Sequence, residues 1–332
     1  MPHAQTDSLR ALVARGNAAK PLFTAGPASL LEDNLRGLRP CFGRNDPDYA
    51  EAEQFVLGRL QSLSGHAHLV RLQGAASLAL EIAARNFLHG RVLVVQSGAY
   101  SERLRQLAES AKTFPGEVRG VDTVDHAQLD SAVGAYDWVL ACYTETSVGL
   151  KLPIQSLRRL TDRSGARLML DATASIGLEH DHELADVIAY SSCKGLFGLT
   201  GAAFIASHSL PGHAVNSFYL DYATHAQKGM TGPYHAILSL EPVLRRHAEI
   251  RESVRINKAE FQRRFGAYLV QPPELQPLLC TQVSCKIHSP HPGALLYASR
   301  HPIAGSIVCH LGEAHLGSQA RGDLIDCLEV QP

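Results

Sequence analysis

From residue 68 to residue 206, short apolar runs alternate with longer stretches of helical periodicity. His68–Leu72, Arg91–Val95 and Trp138–Ala141 have the length of strands, whereas Leu78–Leu88, Glu102–Ala111 and Ile154–Arg163 repeat apolar residues with a period close to 3.6. The series continues through Arg167–Asp171, Val187–Tyr190 and Ala202–Ala206, runs that are apolar at successive positions and so predict strands buried on both faces. Strands alternating with helices predict an α/β fold with a largely parallel sheet. Gly195, Gly198 and Gly201 fall between the last two runs, a stretch too short for a crossover helix, which predicts a tight hairpin-like return there.

Beyond this block, Ile237, Leu238, Leu240, Val243, Leu244, Ile250, Val254 and Ile256 predict a long helical stretch from residue 233 to residue 265 that bridges two domains. The proline-rich run Gln271-Pro272-Pro273-Glu274-Leu275-Gln276-Pro277 follows as a linker, and what remains is too short for an independent enzyme. The expected division is an N-terminal arm (1–20), a large domain (21–250) and a shortened small C-terminal domain (251–332).

Composition narrows the function classes. With 332 residues, 45% of them hydrophobic, the chain can fill a sizeable core, and its formal charge of −1 creates no field that would gather nucleic acid or anionic lipid. Seven cysteines without a CxxC pair suggest neither a disulfide framework nor a zinc ribbon, so a reducing cytoplasm fits. The first twenty residues lack the continuous apolar core of a secretory signal. No uncharged apolar run approaches the roughly 18 residues a membrane-spanning helix needs.

The candidate chemistry sits at the ends of the predicted strands. Lys194 follows the Val187–Tyr190 run, where an amine beside a buried sheet can be desolvated into a nucleophile toward aldehydes; an ordinary loop lysine is the plain alternative. Asp171 closes a neighbouring strand, and a carboxylate there can keep a pyridinium nitrogen protonated. Gln73-Gly74-Ala75-Ala76-Ser77 joins a strand to a helix through small residues, so backbone amides at the helix start can face a phosphate or merely make a turn. It is neither a Walker loop nor GxGxxG. Tyr100, at the start of a helix, can stack on a planar ring or cover the sheet edge. The hydroxyls of the Tyr143–Gly149 segment can bond a ring oxygen or cap a helix. His180-Asp181-His182-Glu183 resembles a metal cluster but reads better as a solvated edge, and no GxSxG elbow supports a serine hydrolase.

Seven segments in order, Thr24-Ala25-Gly26-Pro27, Gly43 to Tyr49, Leu72-Gln73-Gly74, Ser97 to Arg103, Thr144 to Gly149, Asp171 to Ser175 and Ser191-Ser192-Cys193-Lys194, resemble the class V, fold-type I pyridoxal-phosphate enzymes across residues 20 to 235. The resemblance implies a large domain with a mostly parallel seven-stranded sheet and a small C-terminal α/β domain, with pyridoxal 5'-phosphate as cofactor. It makes Lys194 the Schiff-base lysine and proton shuttle and Asp171 the partner of the pyridine nitrogen. Tyr100 would stack on the ring, Gly74, Ala75 and Ala76 would supply amides to the phosphate, Thr146 would lie near the ring hydroxyl and Thr173 beneath the ring. Cys193 takes a place where relatives carry His, Gln or Asn. Thr231 would reach the phosphate of a partner in a homodimer with shared sites. Thr24, Arg44 and His310 are the candidate substrate contacts. In the C-terminal run Val308-Cys309-His310-Leu311-Gly312, histidine stands where relatives have an arginine that forks onto a carboxylate, a fork imidazole cannot supply. The resemblance therefore implies an aminotransferase for a small amine, such as the aminophosphonate 2-aminoethylphosphonate, with an oxo-acid acceptor. Elimination from a related amine, or a non-catalytic relative, stands as the alternative.

Overall fold

In the computed structural model, which describes residues 8–41, 43, 45–112, 118–227, 230–312, 314 and 318–331, the apolar runs assemble into one seven-stranded sheet. Its strands are β1 (His68–Gln73), β2 (Gly90–Gln96), β3 (Val118–Asp125), β4 (Trp138–Cys142), β5 (Arg167–Asp171), β6 (Val187–Ser191) and β7 (Ala202–Ser207), in the spatial order β1-β7-β6-β5-β4-β2-β3. Strands β2 to β6 pair in parallel. The short return through Gly195, Gly198 and Gly201 brings β7 back antiparallel to β6, and β7 is antiparallel to β1 as well, so β1 points the same way as β6. The C-terminal ends of six strands consequently open on one edge of the sheet, where open α/β sheets place their ligands.

Residues of β4, β6 and β7 are buried at every position because helices cover both faces. The covering helices are α1 (Pro47–Ser64), α2 (Ala76–Phe87), α3 (Ala99–Ala111), α4 (Ile154–Ser164) and α5 (Tyr234–Arg245). On one face Leu93, Val139, Leu168, Ile188 and Phe204 pack with Val56 and Leu60 of α1, Leu157 of α4 and Leu240 of α5. Their alternate neighbours Val94, Trp138, Met169, Val187 and Ile205 face α2 and α3 on the other side.

Strand β3 was not anticipated: it is the edge strand, largely half-buried or exposed, and Arg119, Asp122 and Asp125 interrupt its apolar pattern. The helical stretch from 233 to 265 is two helices, α5 and α6 (His247–Phe265), because Arg246 leaves helical geometry (φ −112°, ψ 11°) and ties its guanidinium to Asp33 at 2.8 Å and Glu249 at 3.0 Å.

After α6 the chain forms small two-stranded sheets. Cys280–Val283 pairs with Ser306–Cys309, and Leu295–Leu296 pairs in parallel with Leu22–Phe23, so the N-terminal and C-terminal segments share a core. Ala25 and Phe197 pack with Val254, Leu279, Cys280, Ile307 and Cys309, which seats the C-terminal segment against the loop that carries Lys194. The described residues include no helix long and apolar enough to cross a membrane.

Of residues 180–183, His180, Asp181 and Glu183 are exposed as a solvated edge would be, but His182 is buried, with Nε2 2.9 Å from Ser175 Oγ, and burial together with nearby His66 and His180 pushes its pKa down to about 3. His247 is also buried, 2.7 Å from the Gly195 carbonyl, and its pKa is lowered by burial. Such histidines stay neutral in the folded protein, whereas the unfolded chain takes up their protons near pH 6.5. Stability contributed by their burial is thus intact above pH 6.5 and declines as pH falls below it, by up to about 1.4 kcal/mol per pH unit for each group. Thermal unfolding between pH 7.5 and pH 4.5 is predicted to show this decline, and His182→Gln to make it shallower.

Candidate active site

Four residues after Tyr190 in the buried strand β6, the chain turns and exposes one side of Lys194. The turn is held from several directions: Phe197 N–H donates to the Lys194 carbonyl at 2.9 Å, Gly198 N–H to Ser192 O at 2.8 Å, and Ala28 N–H to Cys193 O at 3.0 Å. Asn34 Nδ2 donates to Phe197 O at 2.9 Å, steadying Phe197 in left-handed backbone geometry (φ 56°). The Lys194 stem lies against Gly26, where a Cβ would stand 2.8 Å from Lys194 Cγ, and Gly26 has φ of 131°, so glycine is required there on both counts. This explains why a Thr-Ala-Gly-Pro segment far away in sequence accompanies the lysine.

Lys194 faces a cavity of about 420 Å³ at the C-terminal edge of the sheet, lined also by Ala75, Ala76, Tyr100, Thr146, Asp171 and Thr173. Lys194 Nζ is 5.5 Å from the centre of the Tyr100 ring. Asp171, at the end of β5, is 5% exposed, and its Oδ1 accepts from Thr173 N–H at 2.9 Å. Thr144, Thr146 and Thr173 line the same cavity, and their hydroxyl oxygens are buried without a hydrogen-bond partner among the described residues. Buried polar atoms are rarely left so, and three of them around one cavity beside a carboxylate and an amine fit a polar ring-bearing ligand.

Tyr100 is placed by a buried carboxylate. Glu145 is fully buried, and its Oε2 accepts from Tyr100 N–H at 3.1 Å and Ser101 N–H at 2.9 Å, while Oε1 accepts from Ser147 N–H at 3.3 Å and from the Ser147 hydroxyl. A negative charge at the N-terminus of α3 complements the helix dipole and satisfies its first amides. Ser101 Oγ accepts from Ser97 N–H and Gly98 N–H at 2.8 and 2.9 Å, completing the cap.

At the start of α2, no side chain caps the helix, and Ala75, Ala76 and Ser77 line the cavity, an arrangement suited to an anion. Gly74 departs from expectation: its N–H donates to Gly201 O at 2.9 Å and is not free for a phosphate. Cys193 is half-buried, lies off the cavity wall and has its Sγ 3.6 Å from Ser191 Oγ; Ser191 lines the cavity instead. Thr24 is half-buried and Thr231 exposed, and neither lines this cavity. Arg44 lies outside the described residues. His310 is the largest correction. Its ring is fully buried away from the cavity, with Nε2 2.9 Å from Thr281 Oγ1 and the Phe261 ring 5.4 Å away, and burial followed by nearby Arg321 and Lys258 drives its pKa well below the usual value.

Sequence reading missed Ser77, Arg103, Ser191 and Arg300 as lining residues. Arg103 Nη1 donates to Ser77 Oγ at 3.2 Å, and its guanidinium lies 5.1 Å from the centre of the Tyr100 ring. Arg300 carries a faint sequence signal: it is the sole Lys or Arg between Lys286 and Arg321.

No family model matches the chain. It is 30% identical over 252 residues, covering 69% of its length and 68% of the relative's, to a 2-aminoethylphosphonate–pyruvate transaminase of Pseudomonas aeruginosa. It is 27% identical over 253 residues, at 69% and 68% coverage, to the transaminase of the same name from Pseudomonas fluorescens. Among solved structures, alanine–glyoxylate aminotransferase from Nostoc sp. superposes with a TM-score of 0.77 at 18% identity, covering 93% of this chain and 94% of that one. Pyridoxamine–pyruvate aminotransferase from Mesorhizobium loti gives 0.75 at 19% identity, with 93% and 90% covered. The structural likenesses establish the shared fold.

Removing the Glu145 carboxylate would leave buried amides at the start of α3 without an acceptor. Glu145→Ala is predicted to cost on the order of 3 kcal/mol in urea unfolding, and Glu145→Gln, which keeps one acceptor oxygen, distinctly less.

Proposed function

Because the chain belongs to the class V, fold-type I pyridoxal-phosphate-dependent aminotransferases, the family of the 2-aminoethylphosphonate–pyruvate transaminases, we propose that it transfers the amino group of a small aminophosphonate such as 2-aminoethylphosphonate to an oxo acid such as pyruvate, with Lys194 and Asp171 as its catalytic residues. The observation that carries this reading is the shared cavity in which Lys194, Asp171, Tyr100 and three unpartnered threonine hydroxyls meet.

Bound pyridoxal phosphate supplies an electron-accepting ring that stabilises negative charge at the amine-bearing carbon. Asp171, buried at the end of β5, pairs with the ring nitrogen and keeps it protonated. Tyr100 offers its aromatic face, held in place by Glu145. The uncapped start of α2, through Ala75 and Ala76, takes the phosphate, with Ser77 and Arg103 beside it. Thr146 would hold the ring hydroxyl and Thr173 would pack against the ring. Lys194 Nζ is the base that takes the proton from the amine-bearing carbon and later returns it. A homodimer with shared sites belongs to the same reading: Thr231 is exposed and off its own cavity, as a residue serving a second copy would be. A main sheet whose last strand ends at Ser207 supports a large domain (21–250) followed by a shortened small one (251–332), with helix α6 running across their boundary. Seven cysteines, all unpaired, support a reducing location such as the cytoplasm.

The competing elimination reading rested on histidine at position 310. It is not favoured, since the named relatives are transaminases and His310 does not face the cavity.

The cofactor-loaded protein is predicted to show a visible absorbance band that moves to shorter wavelength when 2-aminoethylphosphonate is added without an oxo acid, and returns on addition of pyruvate. Lys194→Ala should lower turnover by about 10³-fold or more, and Asp171→Asn by roughly 10²-fold. A Lys194→Ala protein that keeps wild-type turnover would refute the assignment.

A further inference from the structure

The chain lacks an arginine at position 310, and the histidine there faces away from the cavity, so the anionic group of the substrate needs another partner. We infer that Arg300 is that partner and that it sets the enzyme's preference for amines bearing an anionic group, an inference that rests on the aminotransferase reading above.

Three observations support this. First, Arg300 is the one described cavity-lining residue that comes from beyond Lys194 in the sequence, and it also lines an adjoining cleft of about 820 Å³. It therefore stands where the two spaces meet, with the smaller leading to Lys194. Second, Arg300 has no ion pair or hydrogen bond among the described residues, whereas Arg103, the other arginine of the cavity, is bonded to Ser77 and lies over Tyr100. Third, the backbone that carries Arg300 is anchored. Ser299 Oγ donates to Ser147 O at 2.6 Å, His301 N–H donates to Ser299 Oγ at 3.0 Å, and Tyr297 forms an antiparallel bridge with Ile307. A fixed backbone with an uncommitted guanidinium favours capture of an incoming ligand over an internal structural role.

The charges around the cavity point the same way. Lys194, Arg103 and Arg300 are its cations, and Asp171 is its carboxylate. In the proposed assignment Asp171 meets the protonated ring and Arg103 stands beside the cofactor phosphate, which leaves the Arg300 charge for the substrate. The larger cleft brings Glu102 and Asp125 near, but Glu102 is engaged by Arg105 at 2.7 Å and Asp125 accepts from Ala127 N–H at 2.8 Å. The planar guanidinium offers parallel donors to either a phosphonate or a carboxylate, so the shared chemistry is an oxyanion with two acceptor oxygens.

The test measures binding and turnover separately. Calorimetric titration of the cofactor-loaded protein with methylphosphonate, and in parallel with propionate, reads anion capture without any amine. Arg300→Ala is expected to weaken binding of at least one anion about 10- to 100-fold, with Arg300→Lys intermediate. In turnover, Arg300→Ala should raise KM for 2-aminoethylphosphonate or pyruvate by a similar factor while lowering kcat far less. Loss confined to methylphosphonate assigns Arg300 to the amine donor, and loss confined to propionate assigns it to the oxo acid. Equal anion affinity in wild type and Arg300→Ala, or no binding of either anion to wild type, overturns the inference. Failure of the aminotransferase reading shows itself differently, as a wild type that converts no amine although its anion binding still depends on Arg300.

Discussion

Placing an amine and a carboxylate at the ends of two adjacent buried strands is the constraint on which the rest of the site depends. Strands β5 and β6 are neighbours in the sheet, so Asp171 and the Lys194 turn emerge side by side at one edge. Neither group belongs in an apolar layer without partners. The surrounding structure answers that demand. Thr173 donates to Asp171, the Lys194 turn is closed by its own backbone bonds, and Gly26 leaves room for the lysine stem. Beside them, the hydroxyl oxygens of Thr144, Thr146 and Thr173 are among the buried polar atoms that have no hydrogen-bond partner among the described residues.

The same constraint explains the role of the chain's two ends. The Leu22–Phe23 strand pairs with Leu295–Leu296, and Ala28 bonds Cys193, so the N-terminal segment clasps both the lysine loop and the C-terminal segment. The C-terminal segment in turn delivers Tyr297 and Arg300 to the site. The Tyr297 hydroxyl is buried near Tyr100 and Thr146, and burial, followed by the nearby Tyr100, raises its pKa. A site that looks like the property of the central sheet is thus closed by residues from far along the sequence.

Much of this was legible in the sequence because it is local. A strand buried on both faces shows as a continuous apolar run, and its C-terminal end marks where a candidate site residue emerges; Lys194, Asp171, Tyr100 and the segment that carries Thr146 are legible this way, and all four residues line the cavity. Edge strand β3 was missed because half of it faces outward and its polar residues erase the run. The helix break at Arg246 depends on Asp33, a partner more than two hundred residues away. His310 was misread for a reason of parity. Ile307 and Cys309 of the strand Ser306–Cys309 point toward Ala25 and Phe197, so Val308 and then His310 turn toward Phe261 on the other side. Arg300 escaped notice because its position at the cavity depends on how the C-terminal segment docks, which no local pattern records.

The central claim, that Lys194 is the residue that carries the cofactor, is tested most directly by reducing the cofactor-loaded protein with borohydride and mapping the resulting pyridoxyl label by peptide mass spectrometry. The account predicts stoichiometric labelling of the peptide that contains Lys194. Label on a different lysine, or none in protein shown to have bound the cofactor, would contradict it.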